Sequence, residues 1–450
     1  MPQTRRRLSP PQFLAFTIAG LIVFGGVLLW LPISAPPGRP VSLLDAMFTS
    51  TSAVCVTGLI VLDTSKDFST FGQVVVMLLI QFGGLGYMTL STVLIAALGR
   101  TVTLQERLNL QEALNVQSLE GLVKFAGTVF KLTLFCELSG TAILAARWWN
   151  EMGPGNAIWY GLFHSVSAFN NAGFALWSDN FISWRGDWTV NLVITWLIII
   201  GGLGFFCLSE LLRQRRLALI SVHTKVAVTA TAILLVGGTI AFLALEWTNP
   251  RTFAPLGASE RVLAAWFQSV TARTAGFNTI DNGALTTPAC FVTMALMFIG
   301  ASPGSTGGGV KTTTFSVIVA ALWTTVRGGN EPHLFGRRIP PETVARAFFV
   351  SLIAFLALNT VAGLVLMSEG RDLLWTLFET TSAFGTVGLS MGENGSAVSL
   401  SGFFTPFGKV MMMSMMFMGR LGPLTLAFAV ARSGSTPAKI RYPEGKVLIG

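Results

Sequence analysis

Long blocks of apolar residues alternate with shorter polar stretches along almost the whole chain. A helix of about 20 apolar residues crosses the hydrocarbon core of a bilayer, and the longest blocks reach that length. They form four consecutive pairs. The first helices of the pairs are predicted at 13–31, 121–147, 223–245 and 342–367, and the second helices at 71–98, 188–212, 287–326 and 405–431. The pattern therefore predicts an all-α polytopic membrane protein with eight full transmembrane helices.

A shorter apolar segment lies between the two long helices of each pair. These segments contain 12 to 14 residues, and a helix of that length rises only about 18–21 Å, too little to cross a core of roughly 30 Å. Each segment fits a half-helix that enters the membrane and continues as a loop lining a water-filled space. The predicted half-helices are 42–53, 155–168, 259–271 and 370–383.

Each half-helix runs into a similar motif with a glycine near its end. The motifs read SAVCVTGL, SAFNNAGF, TARTAGF and SAFGTVGL, and the third has one residue fewer before its glycine. Their glycines, Gly58, Gly173, Gly276 and Gly388, are separated by 115, 103 and 112 residues. Such spacing indicates an internal repeat. The predicted division is four parallel repeats at 1–98, 99–212, 213–326 and 327–431, followed by a basic tail at 432–450.

Four parallel repeats predict a pseudo-fourfold pore with the glycine loops at its centre. The C-terminal ends of the half-helices carry partial negative charge and favour a cation there. Glycine lets backbone carbonyls turn inward, and a carbonyl ring can replace the hydration shell of an alkali cation. Four ordinary tight turns are the structural alternative. The predicted filter residues are Val56, Thr57, Gly58, Asn171, Ala172, Gly173, Thr274, Ala275, Gly276, Thr386, Val387 and Gly388.

Polar side chains next to the glycines are expected to hold the loops through hydrogen bonds. The side chains expected to do so are Thr57, Asn171, Thr274 and Thr386. The second long helix of each repeat also carries a glycine cluster, 24 to 31 residues after the filter glycine. Small residues allow close helix packing in membranes, so we expect these clusters to pack just below the filter.

The third glycine cluster contains Pro303 and several further glycines, which cannot sustain a regular helix. We therefore expect the second helix of the third repeat, and no other, to be broken by an intramembrane loop. The spacing between Gly304 and Thr312 does not fit a nucleotide-binding P-loop. Arg420 stands within the fourth cluster, where a charge is expensive. It either sets a conduction barrier beside the pore or acts as a structural ion pair or carbonyl clamp. Glu137, within a first helix, is expected to pair with Lys131 or an adjacent loop.

Charge orients the predicted helices. The chain is 52% hydrophobic and 11% charged, with a net charge of +9, and a soluble domain carries about 25% charged residues. The positive-inside rule places both termini in the cytoplasm, because 18 of the 30 Lys and Arg fall in 1–12, 99–124, 213–225, 327–346 and 432–450. The membrane topology therefore explains the excess of basic residues, and we predict no nucleic-acid partner. The opposite side is acidic, which fits either a cation-attracting vestibule or simple solvated loops.

Enzymatic chemistry finds no support in the sequence. The four cysteines and three histidines lack the spacing of a zinc site or a disulfide framework. No nucleophile–base pair lies in the apolar segments, so we predict neither an enzyme nor a transition metal or organic cofactor. A carrier with alternating access is a rival to a pore, since carriers often contain broken helices, although their repeats are usually inverted.

The four motifs and the broken helix resemble those of the Trk/Ktr/HKT superfamily of potassium transporters, over nearly the whole chain. The Ktr membrane subunit is the most similar branch. The resemblance implies K⁺ as the transported ion, with Na⁺ an open second ion. It implies a homodimer in the lipid bilayer of the plasma (inner) membrane and a cytosolic ring of Ktr-type nucleotide-binding (RCK) subunits. It also implies that an intramembrane loop gates the pore, with gate residues Ser302, Pro303, Gly304, Ser305, Thr306, Gly307, Gly308, Gly309, Lys311 and Arg420.

We therefore expect potassium uptake through a carbonyl-lined selectivity filter that this loop gates. A sodium-coupled secondary cation carrier with alternating access is the alternative.

Overall fold

The computed structural model describes residues 10–86, 122–214, 216–392, 397–423 and 425. Apart from short 3-10 turns, these residues form fourteen α-helices and one hairpin. The helices are α1 (Pro10–Trp30), α2 (Leu43–Val54), α3 (Thr70–Leu85), α4 (Leu122–Met152), α5 (Pro154–Phe169), α6 (Trp188–Leu203), α7 (Phe205–Arg213), α8 (Val222–Glu246), α9 (Ala258–Thr271), α10 (Thr287–Phe298), α11 (Thr312–Val326), α12 (Pro341–Glu369), α13 (Leu373–Gly385) and α14 (Pro406–Leu421).

The hairpin is small and lies between α11 and α12. Strands β1 (His333–Leu334) and β2 (Arg337–Arg338) pair antiparallel, with His333 opposite Arg338. The predicted basic tail at 432–450, and the predicted ends of the second helices beyond residue 86 in the first repeat and beyond 425 in the fourth, lie outside the described residues.

Many helices begin where the sequence supplies an N-cap. A side-chain oxygen accepts a hydrogen bond from a backbone N–H of the first turn, which satisfies one of the donors that a helix leaves unpaired. Pro residues lie in the first turn of α5, α10, α12 and α14. Proline fits there because the backbone N–H groups of the first turn have no partner within the helix. The capping side chains are Ser42, Ser69, Asp187, Ser221, Thr286, Asp372 and Thr405.

The helices group into four units that share one plan. Each unit has a long outer helix (α1, α4, α8 or α12), a short helix (α2, α5, α9 or α13) and an inner helix (α3, α6–α7, α10–α11 or α14). The outer and short helices fall within a few residues of their predicted positions. Each inner helix also packs against the short helix of the following unit, and α14 packs against α2. The contacts therefore run around a closed circle.

Glycines on three outer helices allow close contact with the short helices. A Cβ on Gly140 would lie 2.7 Å from Ser165 Oγ, and Gly25 faces Ser50 at 2.5 Å in the same way. Gly238 on α8 faces Ser269 equally closely. Any side chain at these glycines would push the helices apart, so the glycines set the distance between the outer and short helices.

The molecule is apolar outside and polar near its axis. The outer helices expose large apolar side chains such as Phe16, Phe24 and Ile233, each more than 60% exposed. The ends of the short helices instead bury Ser52 and Ser167 completely. A protein in water would show the reverse arrangement, whereas a bilayer solvates an apolar exterior.

The inner helices differ from the sequence prediction. By length and composition, α1, α4, α8 and α12 could each cross a membrane, and α6 with α7 adds a fifth candidate if that bent pair counts as one span. The expectation that only the third repeat contains a broken helix is wrong. The axes of α6 and α7 differ by 97° at Gly204, which has a φ of +91°. A glycine accepts this backbone at little cost and ends the helix.

Close packing of the inner helices onto the short helices is confirmed in three units. A Cβ on Gly83, Gly201 or Gly419 would overlap a carbonyl oxygen at the C-terminal end of α2, α5 or α13, belonging to Val54, Phe169 and Phe384 respectively. In the third unit Gly300 instead packs against Gly308 of its own loop.

We expect Gly201→Ala to destabilise the fold by about 1–3 kcal/mol, as overpacking of a tight contact usually does. The added Cβ would meet the Phe169 carbonyl oxygen and would lie 3.0 Å from Thr306 Oγ1. Thermal unfolding of the purified protein in detergent measures the effect. Gly237→Ala on α8 is the matched control, because its Cβ would meet nothing within 4 Å. Equal melting temperatures for the two variants would contradict this packing.

Candidate functional site

Four glycines meet at the centre of the circle of helices. Gly58, Gly173, Gly276 and Gly388 have φ values of +90°, +70°, +80° and +93°. A Cβ on Gly173 would lie 2.9 Å from the Cα of Gly276, and one on Gly388 would lie 3.0 Å from the Cα of Gly58. The same close contact joins Gly58 to Gly173 and Gly276 to Gly388, at 3.1 and 3.2 Å. The glycines therefore form a closed ring with no room for side chains.

Backbone carbonyls surround this glycine ring. The Cβ that each glycine lacks would overlap a carbonyl oxygen of the next unit, as at Gly173, where the oxygen of Ala275 would lie 2.7 Å away. In each unit this oxygen belongs to the residue just before the glycine. The four carbonyl residues, in ring order, are Thr57, Ala172, Ala275 and Val387.

A second backbone feature recurs two residues before each glycine. Val56, Asn171, Thr274 and Thr386 all have positive φ, between +50° and +71°. Such values are uncommon for residues with a side chain, most of all for β-branched ones, and they cost free energy. Four equivalent departures from ordinary backbone geometry show that the loops share one conformation, including the third, shorter loop.

Hydroxyl groups at the ends of the short helices tie each loop back on itself. Ser52 Oγ accepts from Gly58 N at 3.0 Å, and Ser382 Oγ accepts from Gly388 N at 3.1 Å. In the other two loops the hydroxyl donates instead, from Ser167 to the Phe174 carbonyl at 2.8 Å and from Thr271 to the Phe277 carbonyl at 2.6 Å. These local bonds offset part of the cost of the unusual backbone.

Three of the four polar side chains expected to hold the loops do so. The Asn171 amide and the Thr274 hydroxyl share a hydrogen bond of 3.3 Å that links the second and third loops. Thr386 Oγ1 accepts from Gly308 N at 3.0 Å. The Thr57 hydroxyl is buried without a partner among the described residues. The expectation for Thr57 is wrong because Val56, not Thr57, has the backbone position of Asn171, Thr274 and Thr386.

Sequence reasoning missed a set of polar side chains behind the loops. They stand three residues before the loop-binding Ser or Thr in the last turn of each short helix, and all are at most 2% exposed. Three of them bind the segment that follows the glycine in their own unit, His164 through Leu176 N, Gln268 through Asn282 and Glu379 through Ser401. A polar residue at this position in every repeat was the available signal. The four residues are Thr49, His164, Gln268 and Glu379.

The chain between α10 and α11 lies against the loops of the ring. A Cβ on Gly307 would overlap Thr274 Oγ1, and one on Gly308 would overlap Thr386 Oγ1. The two ends of the segment are paired, because Gly300 N donates to the Val310 carbonyl at 2.9 Å. Residues 299–311 therefore form a compact hairpin-like loop in contact with the third and fourth units, which we call the central loop.

The second unit also binds the central loop. Ser302 N donates to the Gly202 carbonyl at 3.1 Å, and Thr306 N to that of Gly201 at 3.2 Å. In return, the Gly304 carbonyl accepts from Phe205 N at 2.9 Å, just beyond the bend between α6 and α7. The bend therefore brings the start of α7 into contact with the central loop.

Three cationic side chains donate to carbonyls of the central loop. Lys311 Nζ lies 2.7 Å from the Gly307 oxygen, and a nitrogen of the Arg273 guanidinium lies 3.4 Å from the Gly300 oxygen. Arg420 donates through Nη1 to the Thr306 oxygen. Among the described residues, none of the three cations forms a salt bridge. Arg273 was not singled out from the sequence as a site residue, although an arginine within an apolar motif was a signal.

Arg420 also reaches the first unit. Its Nη2 donates to the Gly83 carbonyl and, at 3.2 Å, to the Gly84 carbonyl, both at the end of α3. These oxygens lack an intrahelical donor because they lie in the last turn. The guanidinium therefore joins the fourth unit, the central loop and the first unit.

A cavity of about 900 Å³ borders the central loop. Its lining includes Gly304, Lys311 and Arg420, together with residues near the starts of the outer helices, among them Leu14 and Arg346. The central loop thus has the glycine ring on one side and this cavity on the other.

The fold and the ring define a class of protein, a multi-pass membrane protein in which four glycine loops meet at one centre with a backbone carbonyl at each contact. The profile of the family described as TrkH, cation transport protein, matches residues 25–438. The chain belongs to this family, whose members are transporters and not enzymes, and the predicted resemblance to the Trk/Ktr group is confirmed.

Similar proteins support the same assignment. The chain is 41% identical to the Ktr system potassium uptake protein B of Bacillus subtilis, covering 99% of this chain and 97% of the relative. It is 40% identical to the protein of the same name from Vibrio alginolyticus (98% and 95% covered) and 36% identical to the potassium/sodium uptake protein NtpJ of Enterococcus hirae (100% and 99% covered).

A crystal structure of the potassium transporter TrkH from Vibrio parahaemolyticus has the same fold. The TM-score is 0.73 at 18% sequence identity, and the alignment covers 96% of this chain and 87% of TrkH.

We expect Thr386→Val to loosen the central loop. The substitution keeps the β-branched shape but leaves the buried N–H of Gly308 without its acceptor, which costs about 1–3 kcal/mol. Hydrogen exchange followed by mass spectrometry should show roughly tenfold faster exchange in peptides covering 304–311, the factor that 1.4 kcal/mol represents. Thr380→Val is the control, since among the described residues that hydroxyl bonds only to the Thr376 carbonyl of its own helix. Unchanged exchange in Thr386→Val would show that this bond does not hold the loop.

Proposed function

We propose that this protein takes up potassium across the plasma membrane through the glycine ring. The observation that carries the proposal is the ring of four carbonyl residues in contact around four glycines, at the C-terminal ends of four short helices. Relatives with 34–41% identity over nearly the full length are named potassium uptake proteins or a potassium/sodium uptake protein.

The ring has the chemistry that a dehydrated alkali cation requires. The carbonyl oxygens replace water ligands, and the negative ends of the short-helix dipoles add a favourable potential. We assign the selectivity filter to the three residues ending in each ring glycine. Because glycine occupies all four ring positions, the filter should prefer K⁺ and admit Na⁺ less readily.

We assign the gate to residues Ser302 to Gly309 of the central loop, together with Lys311 and Arg420. The loop contacts Thr274 and Thr386 directly beside the ring, so an ion leaving the ring towards the cavity meets it next. The two cations also oppose the passage of another cation. Opening must then move the loop and break the Arg420 contact with the Thr306 carbonyl.

We extend the proposal to the arrangement of the repeats, the membrane topology and the assembly of the chain. Four parallel repeats, with the boundaries given above, surround one pseudo-fourfold axis. In the second and third repeats the inner helix crosses the membrane as two segments, separated by the bend at Gly204 and by the central loop. Both termini lie in the cytoplasm, as the positive-inside rule predicts from the distribution of Lys and Arg along the sequence. The chain acts as a homodimer controlled by a cytosolic ring of nucleotide-binding subunits, as its likeness to Ktr proteins suggests.

A sodium-coupled carrier is the second candidate, and the bend at Gly204 favours it to the extent that broken helices are typical of carriers. Flux measurements distinguish the two candidates. In proteoliposomes a pore lets K⁺ or Rb⁺ move down its own gradient without Na⁺. A coupled carrier needs both ions at a fixed ratio.

We expect Gly58→Ser to lower the potassium-to-sodium flux ratio about tenfold, equivalent to ~1.4 kcal/mol of discrimination. A side chain at this φ of +90° is strained, and its Cβ would displace the Ala172 carbonyl. The measurement is flux of K⁺, Rb⁺ and Na⁺ into proteoliposomes. Gly38→Ser is a matched control, because Gly38 also has positive φ (+83°) but meets nothing within 4 Å. An unchanged ratio in Gly58→Ser would remove Gly58 from the filter.

We expect deletion of residues 302–309 to raise potassium flux severalfold, because the obstruction beside the ring is gone. The chain can close over the gap, since Ile299 and Val310 already pair and Gly300 N donates to the Val310 carbonyl. Flux into proteoliposomes at equal protein-to-lipid ratio is compared with the full-length chain, and a monodisperse size-exclusion profile shows that the variant is folded. Equal or lower flux in a monodisperse variant would refute the gating role.

A further inference from the structure

A buried carboxyl group lies beside the second loop of the ring. Glu137, on the outer helix α4, is 5% exposed. The sequence left Lys131 or an adjacent loop as its partner. Among the described residues its partners are two side-chain amides and not Lys131, and one of the two, Asn170, stands at the start of the adjacent ring loop. Gln81 Nε2 donates to Oε2 at 3.2 Å, and Asn170 Nδ2 donates to Oε1 at 3.0 Å. A buried carboxyl is costly unless its oxygens are satisfied, so both amides are needed at this site.

The three side chains close a triangle, because Asn170 Nδ2 also lies 2.9 Å from Gln81 Oε1. The two hydrogens of this amide are shared among three acceptors, since the Val166 carbonyl of its own helix also lies 2.9 Å away. They come from three different elements. Gln81 lies on α3 of the first unit, Glu137 on α4 of the second unit, and Asn170 caps the C-terminus of α5 immediately before Asn171 of the ring loop. We call these three residues the amide–carboxyl triangle. It joins two units beside the filter.

The triangle lies next to the carbonyls that bind Arg420. Gly84 packs so closely on Asn170 that a Cβ there would overlap the amide oxygen. The carbonyls of Gly83 and Gly84 accept the Nη2 bonds of Arg420, whose Nη1 binds the central loop at Thr306. The end of α3 is therefore held between the triangle on one side and the guanidinium on the other.

We propose that Glu137 is a positioning residue for the gate. By clamping α3 to the second ring loop, it holds the Gly83 and Gly84 carbonyls where Arg420 donates to them in the closed state. This inference rests on the proposed gating role of the central loop and Arg420. If α3 shifts, the guanidinium loses acceptors that no other described group supplies, and the closed state loses stability relative to the open one.

The first test uses Glu137→Gln, which preserves size. The new amide brings donors towards the amide groups of Gln81 and Asn170, so the triangle cannot keep all three bonds. Rb⁺ flux is measured in proteoliposomes holding the full chain, with and without Arg420→Ala. Losing a buried hydrogen bond should raise basal flux about three- to tenfold. Arg420→Ala alone should raise flux, and in that background Glu137→Gln should change flux less than about twofold, because coupled residues are not additive.

A rescue separates positioning from general destabilisation. The double variant Gln81→Glu with Glu137→Gln returns one carboxyl to the triangle and should restore basal flux to within about twofold of the unmodified chain. Thr141→Val is the matched control on α4, since the Thr141 hydroxyl donates only to the Glu137 backbone carbonyl at 2.7 Å. It should leave flux unchanged.

Several results would overturn the inference. An equal flux increase in both backgrounds would mean that Glu137 acts independently of Arg420, and unchanged or lower flux in a folded Glu137→Gln protein would also exclude the role. If Arg420→Ala alone leaves flux unchanged, the proposed gate itself fails and the inference falls with it. Should Glu137→Gln yield no folded protein, Gln81→Leu, which removes two sides of the triangle, is judged by the same comparison.

Discussion

The structure depends on one close contact, in which four glycine backbones meet around an axis with no side chains between them. Each glycine lies against the carbonyl of the next unit, so every unit completes the site of its neighbour. The inner helices must also approach the short helices closely enough that Gly83, Gly201 and Gly419 touch carbonyls at the C-terminal ends of those helices. Glycine is required at both places for the same reason, which is that backbone meets backbone.

Unusual backbone at the ring is maintained by the surrounding hydrogen bonds. Val56, Asn171, Thr274 and Thr386 keep positive φ although they carry side chains, and each such residue costs about 1–3 kcal/mol. Hydroxyls at the short-helix ends, and three of the four polar residues behind the loops, offset this cost and fix the carbonyl directions. A cation site built from neutral oxygens needs such support, because weak ligands select an ion only when their positions are held.

The four units share one plan but not one set of side chains, and this difference separates selection from control. The ring is nearly symmetric in backbone. The central loop belongs to the third unit alone, Arg420 to the fourth, and Glu137 to the second. Arg420 contacts the first and third units at once, so its position depends on how the first, third and fourth units are arranged. An asymmetric element inside a symmetric frame can move without dismantling the site that recognises the ion.

The sequence by itself determined the helices and the ring glycines, because apolar length and glycine position are local signals. It located the outer and short helices within a few residues and identified the segment that forms the central loop. Tertiary structure decided the rest. The bend at Gly204, where Phe205 N donates to the Gly304 carbonyl, and the partners of Arg420 and Glu137 all involve contacts between units. Such contacts join residues that can be more than 300 positions apart, as Arg420 and Gly83 are, and no local pattern encodes them.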